Sequence, residues 1–553
     1  MKKLLALGVF ATAWGCSNGS DTSGSGGSGA QTSATTGTAS TGATTGSGGA
    51  PACEPFGRWP APGSTFTLPA GSPSLQYADV QAAFPEVDWK TIDRLYIPAG
   101  HYAQLNLGNL PDRDPAHPLV ITNIGGQVAV GPADNANYIW TMSGGSNWVL
   151  TGRYDPDAKT GDEAFDGHRC GDYPTARGHY GFVSDDAFDL DAPYLHMGVS
   201  VSDATDVEVE FVEVTRSGFA GFRFLDKAAA QDDQPMANVR LHDTYVHDTA
   251  GEGIYIGWTG GPPSNLMRGM QIYNNRFVRT GNEALQIQEL GEGSHVHHNV
   301  MLNGALHFRD NGLGAYQDNN SQIHVREGSV EVDHNVFLGS ANLLLNEFGA
   351  PEPGDGDIHL SIHDNYFAEN RVDMAAYFNG TVTATSTYSI DHNVFRGLAF
   401  AYQEIDPTAM DPKILFSTNG GMKAQISFTN NTWDGGQAIT YGLDGPDGTK
   451  GSITATGNTK GAVEPIALRD VLDVSGTGIE FWTPSTPRNP SNPPRAYAPG
   501  DTVLHVDGTI YRCTKANTNH PPPEHADEWM ALPPPVDDVR VVAGSTYEGY
   551  GVH

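Results

Sequence analysis

Basic residues are scarce in this 553-residue chain: 31 Lys+Arg stand against 64 Asp+Glu, a formal charge of 31 − 64 = −33. A surface of that sign repels phosphate backbones and anionic headgroups, which excludes a simple electrostatic nucleic-acid or anionic-membrane binder. Cysteine is rarer still, with four residues. Runs rich in Ala, Leu, Glu and Lys with a sustained 3.6-residue apolar period are missing, so no long amphipathic helix is expected. The apolar stretch Leu4 to Trp14 is too short to span a bilayer. What the chain has in quantity is Gly (67) and Pro (36) beside only 17% charged residues, a composition of many short strands joined by many turns.

Lys2 and Lys3 precede that apolar stretch, and Gly15-Cys16 follow it, the layout of a targeting signal over residues 1–16. Ala13-Trp14-Gly15-Cys16 resembles the lipobox of bacterial lipoproteins, which implies cleavage, lipidation of Cys16 and a membrane anchor on a secreted or cell-surface protein. Residues 17–52 are almost wholly Ser, Thr, Gly and Ala up to position 50, with Asp21 the one charge, and read as a flexible tether. Three cysteines then remain in an oxidising compartment, so one is left unpaired. Cys53 and Cys170 share the N-terminal part of the main domain and can pair, leaving Cys513 free.

Internal repetition sets the expected fold. IYNNRF from Ile272, VHHNVM from Val296, VDHNVF from Val332, IHDNYF from Ile362, IDHNVF from Ile390, FTNNTW from Phe428 and ATGNTK from Ala455 recur at offsets of 24, 36, 30, 28, 38 and 27 residues. A period near 30 with variable insertions is the mark of a solenoid. Each unit has apolar positions around a polar one, an Asn corner, a second short strand, a Gly-containing turn and a third strand. Asn tolerates left-handed backbone angles, and its amide can bond the next coil. The expected ladder is Asn275, Asn299, Asn335, Asn365, Asn393, Asn431 and Asn458.

This pattern over residues 53–484 resembles the right-handed parallel β-helix of the pectate-lyase-like superfamily, and IPAGHYAQLNL from Ile97 is similar to its first coils. The resemblance implies an all-β fold. It leaves the activity open, because that superfamily includes polysaccharide lyases, glycoside hydrolases, phage tailspikes and non-catalytic adhesins.

After the Pro-rich break from Pro484 to Pro494 the pattern changes. Residues 495–533 resemble a small chitin-binding type 3 (family 5/12) carbohydrate-binding module, through Tyr497, Gly500-Asp501, Val503, Gly508, Tyr511, Ala516-Asn517, Pro521 and Trp529. The resemblance implies sugar stacking on Tyr497, Tyr511 and Trp529. Residues 534–553 read as a further strand and turn that close the β-helix.

Five dipeptides, His242-Asp243, His297-His298, Asp333-His334, His363-Asp364 and Asp391-His392, stand at one phase of the repeat. Stacking of coils about 4.8 Å apart produces such a column without any ligand, and no zinc-type Cys/His spacing occurs, so these are expected as corner residues. The strand after each turn is the better candidate surface. Alternation is expected to turn Tyr255, Gln286, Gln288, His324, Arg326, Asn346, Glu347 and Tyr377 outward onto one sugar-like lining. The long connection from Gly304 to Ser321 adds Arg309 and Asp310. The expected catalytic pool is Glu289, Arg309, Asp310, His324, Arg326 and Glu347.

Two chemistries compete for that pool. Hydrolysis needs a protonated carboxyl and a second carboxylate, whereas elimination from a uronate needs a cation to neutralise the substrate carboxylate and a base for the C5 proton. Asp185, Asp186, Asp189 and Asp191 offer hard oxygen ligands suited to Ca²⁺, the one cofactor the chain suggests. The expectation is a monomeric glycan-active protein, most simply a hydrolase of O-glycosidic bonds, with a lyase or a carbohydrate-binding adhesin as alternatives.

Overall fold

The computed structural model describes residues 62–553, apart from 72, 134–137, 154–177, 179, 187–196, 227–235, 259–263, 308–318, 342, 350, 371–373, 381, 397–412, 418–423, 435–440, 445–451, 475–477 and 483–494. The leader with Cys16, the tether, and Cys53, Cys170, Asp189, Asp191, Arg309 and Asp310 lie outside the described residues. Cys513 is buried and free.

The repeats build a parallel β-helix. From Trp148 to Asp444 each coil carries three strands, seen in the coil made by Gln271–Tyr273, Arg276–Val278 and Leu285–Leu290, whereas the first three coils carry two. The first two strands of successive coils belong to a 23-stranded sheet, and the third strands form a separate 12-stranded sheet. Pairing is in register: Ile272 meets Val296, then Val332, Ile362, Ile390 and Phe428. One continuous core from Leu68 to Trp433 results, because inward Val, Ile, Leu and Phe stack on their own kind. Phe337, Phe367 and Phe395 stack with ring centroids 4.6 and 4.8 Å apart.

The corner between first and second strands is the Asn ladder. The Nδ2 of Asn335 donates to Asn365 Oδ1 at 3.0 Å and to the Val296 carbonyl at 2.8 Å, while its Oδ1 accepts from both the backbone and the amide of Asn299. The same pattern runs from Asn275 to Asn458, and Thr244 caps the series by donating to Asn275. One expectation is corrected here. The left-handed residue is the one before each ladder Asn: Asn274, His298, His334, Asp364, His392 and Asn430 have φ between 51° and 54°, as does Asp243 before the capping Thr244, and Gly457 before Asn458 has φ +71°. The ladder Asn itself supplies the side-chain bonds, which fill buried backbone groups that the corner would otherwise orphan.

The chain packs further segments against the first coils and against one side of the β-helix. A short helix, Val80–Ala83, packs Val80 with Phe84 and Trp89 into the first coils, its N-terminus capped by Asp79 accepting from the Ala82 amide at 2.8 Å. The final residues return to the β-helix: Asp538–Val541 pairs antiparallel with Leu468–Asp470, and Val539, Val541, Tyr547 and Val552 cover Tyr180, Tyr245, Val300, Val336 and Tyr366 on the outside of the second strands. Beneath that segment the Arg279 guanidinium is fully buried between Asp248 (2.5 Å) and Asp537 (2.6 Å). Arg276 adds a bond to the Asp537 carbonyl at 3.0 Å.

Residues 495–533 fold into small antiparallel pairings around Trp482, Tyr497, Val503, Cys513 and Trp529. The module joins the β-helix through Ile479–Phe481, where the Phe481 amide donates to the Leu306 carbonyl and the ring packs on His307.

Candidate functional site

One outward row crosses seven strands of the 12-stranded sheet: Thr141, Ser200, Arg223, Tyr255, Gln286, Gln322 and Asn346 are consecutive partners. Their inward neighbours Ile254, Leu285, Ile287 and Ile323 belong to the core, so alternation holds along these strands. Tyr255, Gln286, Gln288, His324 and Asn346 are outward yet buried, which makes this face the floor of a recess lined by amides, one phenol and one imidazole. At its first end the Arg223 guanidinium lies over the Tyr138 ring, 5.3 Å from the centroid.

A β-bulge sets the centre of the site. Ile287 pairs with Ile323 but Leu290 pairs with Val325, so Gln288 and Glu289 together oppose one residue, His324. Glu289 takes φ +66° in that bulge. The extra residue breaks the inward phase that Glu289 would otherwise have, and bulges commonly re-aim a side chain beside active sites. The Glu289 carboxyl lies 3.2 Å from Arg326 Nη1 and 3.8 Å from His324 Nδ1. Burial pushes its pKa up to about 7, against the downward pull of Ser264 and Arg326.

Arg326 is not a free cation. Its Nε and Nη2 donate to Asp355 at 2.8 and 2.9 Å, its Nη1 donates to the Ser264 carbonyl and to Glu289, and Glu352 lies 3.4 Å from Nη2. Ser264 in turn donates to Glu352 at 2.7 Å. Ser264, Glu352 and Asp355 were not singled out in the sequence. The acidic Pro-Glu-Pro-Gly-Asp turn from Pro351 carried the only signal, since turn residues between solenoid strands sit beside the face those strands form.

Glu347 is corrected. It pairs between Ile323 and Phe378 and so points inward, fully buried, with the Tyr388 hydroxyl donating to it at 3.2 Å. Desolvation raises its pKa well above the usual range, and as a core carboxyl it does not reach the recess. Glu252, also overlooked, is a second buried carboxyl raised by desolvation to about 7, with Asn282 Nδ2 at 3.3 Å. The side chain of Tyr377 lies outside what is described.

The module's aromatics depart from their expected role. Tyr497 and Trp529 are 2% and 3% exposed and meet edge to face at 5.0 Å, forming the module's core. Tyr511 is half-buried, its hydroxyl donating to Asp507 at 3.1 Å. A module this small draws on its aromatics for a core, and these two pack there with Trp482, Val503 and Cys513. Of the acidic quartet, Asp185 accepts from Arg216 Nε at 2.7 Å and Asp186 is buried.

No family model matches this chain, and no curated protein does. Solved structures do. The chain is similar to the GH136 lacto-N-biosidase from Eubacterium ramulus (10% identity, 67% of this chain and 62% of that one, TM-score 0.37). It is also similar to the catalytic domain of GH87 α-1,3-glucanase in complex with nigerose (11%, 71% and 68%, 0.30) and to pectate lyase Pel9A (10%, 71% and 80%, 0.28). The chain spans less than two thirds of the lacto-N-biosidase.

Proposed function

We propose that this chain is a glycan-cleaving enzyme that hydrolyses O-glycosidic bonds in the recess over the 12-stranded sheet, with Glu289 as proton donor. The carrying observation is Glu289 itself: a buried carboxyl aimed outward by a bulge, raised to about 7, and flanked by amides that suit sugar hydroxyls. A carboxyl that keeps its proton near neutrality is what departure of a glycosidic oxygen requires. Elimination is the weaker reading because Arg326, the cation that would neutralise a uronate, already has its donors engaged by Asp355, Glu289 and Ser264. The known glycan-cleaving β-helix structures support the class of activity, and the leader expected to end at Cys16 supports a lipid-anchored location at a bacterial cell surface.

The test incubates the full chain with a panel of neutral and acidic polysaccharides while following new reducing ends and the ultraviolet absorbance of unsaturated uronates. Reducing ends without absorbance, lost in Glu289→Gln, are the expected result. Both signals together indicate a lyase. Binding with neither signal overturns the enzyme reading in favour of an adhesin.

A further inference from the structure

The first strands of three consecutive coils bring a mixed imidazole and carboxylate group together on a face remote from the recess floor. Ser294–His297, Gly328–Asp333 and Ile358–His363 pair in parallel, so His295 stands beside Glu331, and His297, Asp333 and His363 form the next row. The ligand atoms of His295, Glu331 and Asp333 all lie within 4.8 Å of one another, as do those of Asp333, His334 and His363. His295 Nε2 lies 3.9 Å from Glu331 Oε2 and in direct contact with Asp333 Oδ1. His363 Nε2 is 2.7 Å from the other oxygen of Glu331.

We propose that His295, Glu331, Asp333 and His363 bind one divalent transition-metal ion of the zinc type, tying three coils together on their outer face. Two imidazoles and two carboxylates are a borderline donor set that suits Zn²⁺ or Co²⁺ over Ca²⁺, and four ligands about 2.0–2.2 Å from an ion sit about 3.4 Å apart, so on binding the His295–Glu331 pair at 3.9 Å closes and the His363–Glu331 pair at 2.7 Å opens. The surroundings are those of a built site. His363 Nδ1 is 2.9 Å from Asp364 Oδ2, a carboxylate partner that leaves Nε2 facing the group, and His334 Nδ1 is 2.7 Å from Asp333 Oδ2. Such outer partners orient metal ligands. Asp333 is the buried member, while His295, Glu331 and His363 keep part of their surface open, which gives the ion a way in. Sequence spacing hides the site because its ligands come from three coils.

The experiment uses the full chain stripped with chelator, titrated with Zn²⁺ by calorimetry and with Co²⁺ while recording the visible spectrum. One equivalent with the intense absorption of four-coordinate Co²⁺ is expected. His295→Gln and Glu331→Gln abolish it, and Asp364→Asn weakens it about tenfold to a hundredfold. Glu331 is half exposed, so its isosteric variant folds; far-ultraviolet circular dichroism and the metal-free melting point, both unchanged, verify this. His520, His525 and Glu528 form another group of suitable donors in the C-terminal module, and His525→Gln is the control. No binding, binding indifferent to His295→Gln and Glu331→Gln, or binding lost in His525→Gln overturns the proposal.

Discussion

Replacing Asn335 by Ala tests the ladder at its middle. The substitution orphans the Asn299 backbone amide, which donates to Asn335 Oδ1 at 3.0 Å, and the Val296 carbonyl, which accepts from Asn335 Nδ2 at 2.8 Å, while Asn299 Nδ2 keeps the Ile272 and His297 carbonyls. All are buried, and water has no route to Asn335, which has no exposed surface. A buried polar group left without a partner costs about 1–3 kcal/mol, so two of them predict about 2–4 kcal/mol after partial relaxation. Asn458, at the far end, is half-buried, and its amide donates to the Phe428 carbonyl at 2.8 Å within reach of solvent. Asn458→Ala is therefore expected to cost about 1 kcal/mol. Urea unfolding of the two variants measures the difference, and hydrogen exchange locates it: protection falls first in the coils around residues 296–300 and 362–366. Asn335→Asp sharpens the test, because a carboxylate keeps the shape but cannot donate to Val296 or Asn365, and it should cost at least as much as Ala. Equal, small losses in Asn335→Ala and Asn458→Ala would refute the reasoning that side-chain bonding, and not only apolar stacking, holds the corner.

Three further outcomes follow from buried charge and packing. With Glu289 in its proposed role as the acid, turnover on a cleaved glycan should fall as pH rises through about 7, where its proton leaves, and Glu289→Gln should remove that limb together with at least about a hundredfold of the rate. Glu252 is raised to about 7 by burial, so its contribution to stability is whole below its unfolded value near 4.5 and is lost as pH rises through 7; Glu252→Gln should flatten that part of the melting-point profile. Asp537→Ala leaves Arg279 buried against Asp248 alone and should cost about 3–5 kcal/mol, with proteolysis appearing first in residues 534–553 if the closing segment depends on that pair.

The architecture was legible because its signal repeats. A ladder Asn preceded by a residue able to turn left-handed recurs seven times, six of them buried, and no helix or hairpin pattern imitates that spacing. The outward row Tyr255, Gln286 and Asn346 was legible for the same reason, since strand alternation needs only a correct phase. Phase is also where reading failed. Glu347 was placed outward by counting from Asn346 as though both neighbours could face the recess, while pairing with Ile323 and Phe378 turns it into the core. Glu289 joined the site through a bulge, an insertion that shows only when two strands are laid side by side. Tyr497 and Trp529 fitted a sugar-stacking pattern, but an aromatic that packs a small core and one that waits for a ligand have the same letter in the sequence.

The three outward faces of the coil divide the work in a way that residue chemistry makes intelligible. The face of the second strands is apolar, Tyr245, Val300, Val336 and Tyr366 among its members, and the chain's own last residues cover it. The face of the first strands is a column of rings and carboxylates that satisfy one another: His242, Tyr273 and His297 stack at 4.5 and 5.0 Å, with Glu208 on His242 and Asp333 on His295. Neither offers unsaturated hydrogen-bonding surface to a long, hydroxyl-rich ligand. The third face does, because Gln286, Gln288, Gln322 and Asn346 are amides on a flat parallel floor, and an amide can donate and accept toward whichever way a sugar hydroxyl turns. Among the described residues the raised carboxyl of Glu289 stands at that face, which is where the proposed glycan recognition and acid chemistry would meet.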